Sequence, residues 1–282
     1  MTIGIVGAGI MGKGLAHQFA KFDHSVVLVD NDPTVLEAVP AGINVTHRFD
    51  IMMQRMGKTV EGVQEDVLSK VTCTSQLSDL KGADLIIENI PEVWDLKRAL
   101  YLELAEVVGP NTLIGVNTSA TPIGKLSTLM PHPENVAGMH FSNPVHMMPM
   151  VEMVRGRFTS EATLSALQEI LKGIKMTGIV VNDAPGFVTN RVMLMYINEA
   201  VYCVQEGVAT AAEVDKIFRD CLSHAQGPLE LADMIGLDTI LQSLEVLHEN
   251  FKDSKYRPCY LLREMVDTGL LGKKSSQGFY TY

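Results

Sequence analysis

The run TIGIVGAGIMGKG, residues 2–14, constrains the fold more than any other stretch of the chain. A short β-rich segment leads directly into Gly7, Gly9 and Gly12, and a helix-period pattern, IMGKGLAHQFAKF, follows without a break. The order is strand, tight turn, helix, the opening of a βαβ unit. Each glycine has a distinct physical role. Gly7 makes the turn, Gly9 lets the backbone approach a phosphate closely, and Gly12 lets helix and strand pack together. The helix N-terminus then offers unpaired N–H groups to a pyrophosphate.

The rhythm continues. TIGIV, SVVLVD, ADLIIENI, TLIGVNT, NVAGMHF and GIVVND alternate with helical stretches such as PEVWDLKRALYLELAEVV. This predicts an α/β fold with a mainly parallel, doubly wound, Rossmann-like sheet. PMVEMV and GIVVND could run in either direction. Asp30 closes the second run, where a carboxylate accepts hydrogen bonds from the ribose hydroxyls of NAD and repels the 2′-phosphate of NADP. Gly7, Gly9, Ile10, Met11, Gly12 and Asp30 are therefore the expected contacts of an NAD cofactor.

Beyond Asp183 the pattern becomes helical throughout, with no clear strand. A boundary near residue 183 gives a dinucleotide-binding domain over 1–183 and an all-α domain over 184–282, with Pro185 in a first helical turn. At 282 residues and 46% hydrophobic, the chain can bury one sizeable core and a second, smaller one. No apolar run reaches the roughly 18 residues that would mark a membrane span, and TIGIV reads as the first strand, not a signal peptide. A net charge of −10 argues against a nucleic-acid partner. Cys73, Cys203, Cys221 and Cys259 lie far apart, which predicts buried thiols, no metal cluster and a reducing, cytoplasmic setting.

Glu152 poses a question. It sits inside MVEMV, where a charged carboxylate needs a partner. His140 closes the strand run VAGMHF, at the edge where doubly wound folds place ligands. If the chain turns through NPVHMMP, the two can meet, and a carboxylate on one imidazole nitrogen fixes the tautomer and raises basicity at the other. A lone strand-end histidine is more often structural than catalytic.

Taken together, GAGIMG, NTS at 117–119, GMHFSNPV at 138–145, APGFVTNR at 184–191 and GPLELADMIGLD at 227–238 give the chain a resemblance to the 3-hydroxyacyl-CoA dehydrogenases, the short bacterial 3-hydroxybutyryl-CoA type included. The resemblance spans essentially the whole chain. It implies hydride transfer between NAD and a 3-hydroxyacyl thioester, with His140 as general base, Glu152 steadying the imidazolium, Ser119 hydrogen-bonding the reacting oxygen and Asn190 helping to hold the thioester. Glu92, Lys97, Asn117, Asn143 and Lys274 would join the cofactor contacts, and Thr46 would contact CoA. Because Asn190 lies past the boundary, the resemblance places the active site between the domains. It also implies a homodimer through the apolar helical domain. Read without it, Ser119 is a helix cap before TPIGKLSTLM, and Glu92 and Lys97, five apart, are solvated charge.

The sequence also departs from the family. Met53 stands where relatives often carry a CoA-contacting lysine, and Ser142 and His146 bring polar groups to an apolar region. Relatives in antibiotic pathways resemble enzymes acting on small polar hydroxyacyl groups, such as glyceryl, held on an acyl carrier protein. Arg48, Arg55 and Lys58 could form a helical stripe facing such a partner, or a solvated face. A non-catalytic nucleotide-binding or structural relative is the alternative of another class; Ser119, His140, Glu152 and Asn190 together argue against it.

Overall fold

The computed structural model describes residues 1–62, 66–119 and 121–282. The chain divides into two compact units, Met1–Ala184 and Pro185–Tyr282. In the first, the strands are β1 (Thr2–Val6), β2 (Ser25–Val29), β3 (Val71–Thr74), β4 (Leu85–Glu88), β5 (Leu113–Val116), β6 (Val136–Phe141), β7 (Met150–Arg155) and β8 (Thr177–Asn182). Among the described residues they form one eight-stranded sheet in the order β3-β2-β1-β4-β5-β6-β7-β8. The helices are α1 (Ile10–Ala20), α2 (Pro33–Glu37), α3 (Val39–Arg55), α4 (Trp94–Ala105), α5 (Ile123–Ser127) and α6 (Glu161–Gly173).

The chain winds outward from β1 to β3 and returns to β4 on the other side of β1, all in parallel. That reversal is the topological switch point, and the glycine turn lies beside it. All four residues of β4 are buried, as a central parallel strand covered on both faces requires. Gly7 has a φ of 95°, open to glycine at little cost. A Cβ on Gly12 would lie 1.9 Å from the Gly7 carbonyl oxygen, so the helix can approach the strand only because that residue has none. Leu15, Ala16, Phe19 and Ala20 then seal α1 onto the core.

The two strands whose direction the sequence leaves open differ from each other. β7 runs antiparallel to β6, whereas β8 runs parallel to β7. β3 is an element that the sequence pattern does not announce. VTCT has no buried residue and no large apolar side chain beyond Val71, as suits a strand with one neighbour.

The second unit contains α7 (Thr189–Gln205), α8 (Ala211–Leu222), α9 (Pro228–Ile235), α10 (Leu237–Phe251) and α11 (Tyr260–Asp267). Leu194, Ile197, Val201, Leu229, Ile240 and Leu244 are among the residues of its core. Thr210 and Glu213 close a capping box at the start of α8. The buried Asp215 carboxylate accepts the backbone N–H groups of Leu229 and Glu230 at 2.8 and 2.9 Å, satisfying the first turn of α9. Buried Asp233 accepts those of Phe279 and Tyr280, which ties down the chain terminus.

Three expectations need correction. Pro185 does not enter a first helical turn: α7 begins at Thr189, because Gly186 and Phe187 take φ values of 74° and 47° that no right-handed helix accommodates. The cationic stripe is broken, since α3 ends at Arg55 and Lys58 lies beyond it. The thiols are not uniformly buried: all four are free, but Cys73 and Cys221 are exposed, Cys203 is half-buried and Cys259 alone is enclosed. Among the described residues, no helix is long and apolar enough to cross a membrane.

Candidate active site

The antiparallel pairing of β6 and β7 sets His140 directly opposite Glu152. Cross-strand partners project to the same face of a sheet, so their side chains meet. His140 Nδ1 lies 3.0 Å from a Glu152 carboxylate oxygen, with the two side chains 12% and 10% exposed. An ionised carboxylate can only accept, so the proton of a neutral imidazole resides on Nδ1 and the lone pair on Nε2. Ser119 Oγ stands 3.1 Å from that Nε2. The three residues thus form one chain of hydrogen bonds, running Ser119 to His140 to Glu152.

Ser119 follows β5 and is not a helix cap. α5 begins only at Ile123, with Pro122 at its N-cap position and no side-chain cap. The segment is held by other means. Glu92 accepts the Thr118 hydroxyl at 2.5 Å and the Ser119 backbone N–H at 2.8 Å through one oxygen, and the Thr121 hydroxyl at 2.6 Å through the other. Asn117 donates to the Asn89 side chain at 2.7 Å and accepts the Phe141 N–H at 3.1 Å, tying the ends of β4, β5 and β6 together.

Behind this lies a buried ion pair. Lys97, in the first turn of α4, places Nζ 2.7 and 2.8 Å from the two oxygens of Glu88, at the end of β4, and both side chains are fully enclosed. Lys97 also reaches Glu92 at 3.8 Å. Burial pushes the Glu88 carboxyl pKa up, while the neighbouring Lys97 and the Ile90 N–H pull it down. The Tyr101 hydroxyl, 3.4 Å from Glu88, is raised well above its ordinary value by the same burial. Lys97 is therefore not solvated charge. Its four-carbon stem crosses the packed layer between α4 and the sheet, and the ammonium is neutralised inside it.

The glycine turn fits a dinucleotide. A Cβ added to Gly9 would meet no protein atom within 4 Å, so packing does not demand glycine there; a backbone-hugging pyrophosphate does. Asp30 holds this edge by accepting the Ala8 N–H at 2.7 Å and the Asp32 N–H at 3.0 Å. Ile10 is exposed and Met11 half-buried at the start of α1. Asn143 is exposed just past β6.

Other expected site residues make contacts of their own. Thr46 sits on α3, its hydroxyl turned to the Gly42 carbonyl at 3.4 Å. Met53 joins Lys21, Phe49, Asp50, Lys58 and His146 around a cavity of about 290 Å³. His146 packs edge-on against Phe49 and His17, and Ser142 is exposed. Asn190, in the first turn of α7, and Lys274, paired with Asp238, belong to the second unit. Sequence reasoning missed Glu88, Asn89, Tyr101, Thr118 and Thr121. The one available signal is the cluster of hydroxyl residues around NTS.

Residues 2–184 match the NAD binding domain of 3-hydroxyacyl-CoA dehydrogenase, and residues 186–282 match the C-terminal domain of the same family. The chain is 41% identical to a probable 3-hydroxybutyryl-CoA dehydrogenase of Bacillus subtilis (strain 168), over 99% of this chain and 96% of the relative. It is 40% identical to a 3-hydroxybutyryl-CoA dehydrogenase of Bradyrhizobium diazoefficiens, over 99% and 94%. A crystal structure of (S)-3-hydroxybutyryl-CoA dehydrogenase from Ralstonia eutropha superposes with a TM-score of 0.92 at 39% identity, covering 100% of this chain and 98% of that one. The chain belongs to the 3-hydroxyacyl-CoA dehydrogenase family, with the family's NAD binding domain at residues 2–184 and its C-terminal domain at 186–282.

Proposed function

We propose that the protein interconverts 3-hydroxyacyl and 3-oxoacyl thioesters, with His140 as general base and a short 3-hydroxyacyl-CoA of the 3-hydroxybutyryl class as substrate. The observation that carries this reading is the hydrogen-bonded chain Ser119–His140–Glu152. A substrate alcohol bound between Ser119 Oγ and His140 Nε2 loses its proton to Nε2 as the carbon–oxygen bond becomes a carbonyl. Glu152 steadies the imidazolium that results, and Ser119 keeps a hydrogen bond on the reacting oxygen. Bound NAD supplies the acceptor for the hydride. Gly7, Gly9, Ile10, Met11, Gly12 and Asp30 would hold it, with Glu92, Lys97, Asn117, Asn143 and Lys274 further contacts drawn from the family pattern. Enclosed as it is, Lys97 would act through its charge. Asn190 would bind the thioester, and Thr46 the CoA moiety.

A second substrate reading rests on Met53. At a position where relatives often place a lysine, the apolar side chain offers no cation to the phosphates of CoA. A small polar hydroxyacyl group on an acyl carrier protein is presented on phosphopantetheine, without the adenosine phosphates of CoA. Exposed Val192, Ile217, Leu222 and Tyr260 on the helical unit favour a homodimer, and a clean monomer at micromolar concentration would remove that reading. The unpaired thiols fit a reducing, cytoplasmic compartment.

The test is NADH oxidation with acetoacetyl-CoA beside the same acyl group on a carrier protein, with NADH binding followed by fluorescence. Turnover of the CoA thioester at roughly 1–10³ s⁻¹ supports the first reading. Turnover confined to the carrier-bound substrate selects the second. NADH binding without turnover of either overturns both.

A further inference from the structure

The geometry points to Glu92 as a positioning residue, one that clamps Thr118, Ser119 and Thr121 so that the Ser119 hydroxyl stays on His140. The inference rests on His140 being the base.

A carboxylate offers about four acceptor sites. Glu92 commits three to the chain: the Thr118 hydroxyl and the Ser119 N–H on one oxygen, the Thr121 hydroxyl on the other. Lys97 stands 3.8 Å from that second oxygen. A residue that only contacted a cofactor would need none of these bonds. The Thr118 hydroxyl also accepts the Thr121 N–H at 2.9 Å, so the clamped residues brace one another. Ser119 is thereby fixed at two points, its backbone by Glu92 and its side chain by His140 at 3.1 Å. Loss of the backbone anchor frees the hydroxyl to drift, and a displacement of about 1 Å can cost on the order of a hundredfold in rate. Lys97 gives the arrangement a rigid base, because its ammonium is locked on buried Glu88 and cannot follow Glu92 outward.

The experiment is a double-mutant cycle on kcat with acetoacetyl-CoA, or with the carrier-bound substrate should that be the one turned over. It uses Glu92→Ala, Ser119→Ala and the double variant, with Thr121→Val and Thr121→Ser alongside, all at saturating NADH so that any weakening of the cofactor contact drops out of kcat. Glu92→Ala, which removes both acceptor oxygens of the clamp, should lower kcat about tenfold to a hundredfold. In the Ser119→Ala background, Glu92→Ala should cost little more, because the group it positions is gone. Thr121→Val should lower kcat by a smaller factor, and Thr121→Ser, which keeps the hydroxyl, should restore it. Three results overturn the inference: multiplicative losses in the cycle, a Glu92→Ala enzyme with wild-type kcat at saturating NADH, or a Ser119→Ala enzyme with wild-type kcat. Should Glu92→Ala fail to fold, Thr121→Val with wild-type kcat overturns it as well. His140→Ala separates the two levels. If it keeps wild-type kcat, the base assignment has failed; if it is inactive while the cycle is multiplicative, only the positioning role has.

Discussion

The first unit contains two clusters of polar side chains, each grouped around buried members, and they are built in opposite ways. At the C-terminal edge of the sheet, Glu88, Lys97, Glu92, Ser119, His140 and Glu152 each have a hydrogen-bonding or charged partner within reach. Between α1 and α3, His17 has no exposed surface, and neither of its ring nitrogens has a protein hydrogen-bond partner among the described residues. Its surroundings are His47 and His146, with ring centroids 5.9 and 6.4 Å away, and Asp50, whose carboxylate is 3.9 Å off and bonded instead to Lys21 at 3.1 Å. A satisfied network in a low-dielectric interior fixes geometry; an unsatisfied group there only subtracts from stability. The edge cluster is therefore where the fold can position chemistry, and the histidine cluster is where it is vulnerable to acid.

Breaking the first cluster should turn it into the second. Lys97→Met leaves Glu88 buried beside Glu92 with no counter-charge, and loss of one partner of a buried pair costs about 3–5 kcal/mol. Denaturant unfolding at pH 7 checks this; a variant within about 1 kcal/mol of wild type would mean that the pair contributes no more than a surface contact. Glu152→Gln is subtler. An amide can face Nδ1 with its NH₂, which forces the lone pair onto Nδ1 and the proton onto Nε2, so kcat should fall by about a hundredfold or more while stability changes little.

The second cluster sets the pH dependence. Burial, then the charge of Lys21, pushes the His17 pKa down from 6.5 to about 3. The unfolded chain therefore takes up a proton that the fold refuses. The sign follows: stability from this residue is intact above pH 6.5 and is lost as pH falls toward 3. At pH 5 the loss is about 2 kcal/mol, at roughly 1.4 kcal/mol per pH unit. Urea midpoints for wild type and His17→Leu at pH 7 and pH 5 test it. The leucine variant should lose less on acidification, and equal losses would place the acid sensitivity elsewhere.

What the sequence discloses follows from how far each signal reaches. The glycine turn, the α/β rhythm and the helical second domain are local patterns of period and spacing, and they are legible. β3 is not, because VTCT becomes a strand only by pairing with β2. Pro185 reads as a helix start because proline tolerates that position, but the left-handed backbone at Gly186 and Phe187 lies in no propensity scale. Lys97 is opaque for a related reason: a lysine nine residues beyond a glutamate does not declare that both will be enclosed between α4 and the sheet. His140 and Glu152 are visible as residues, yet the register that sets them opposite depends on how residues 142–149 turn between β6 and β7.

The proposed chemistry turns on His140, held by Glu152, being the base. Turnover and NADH binding of His140→Ala, measured side by side on the accepted thioester, decide it. The expected result is a loss of about 10²–10⁴ in kcat with NADH affinity nearly unchanged. Wild-type kcat in that variant would contradict it.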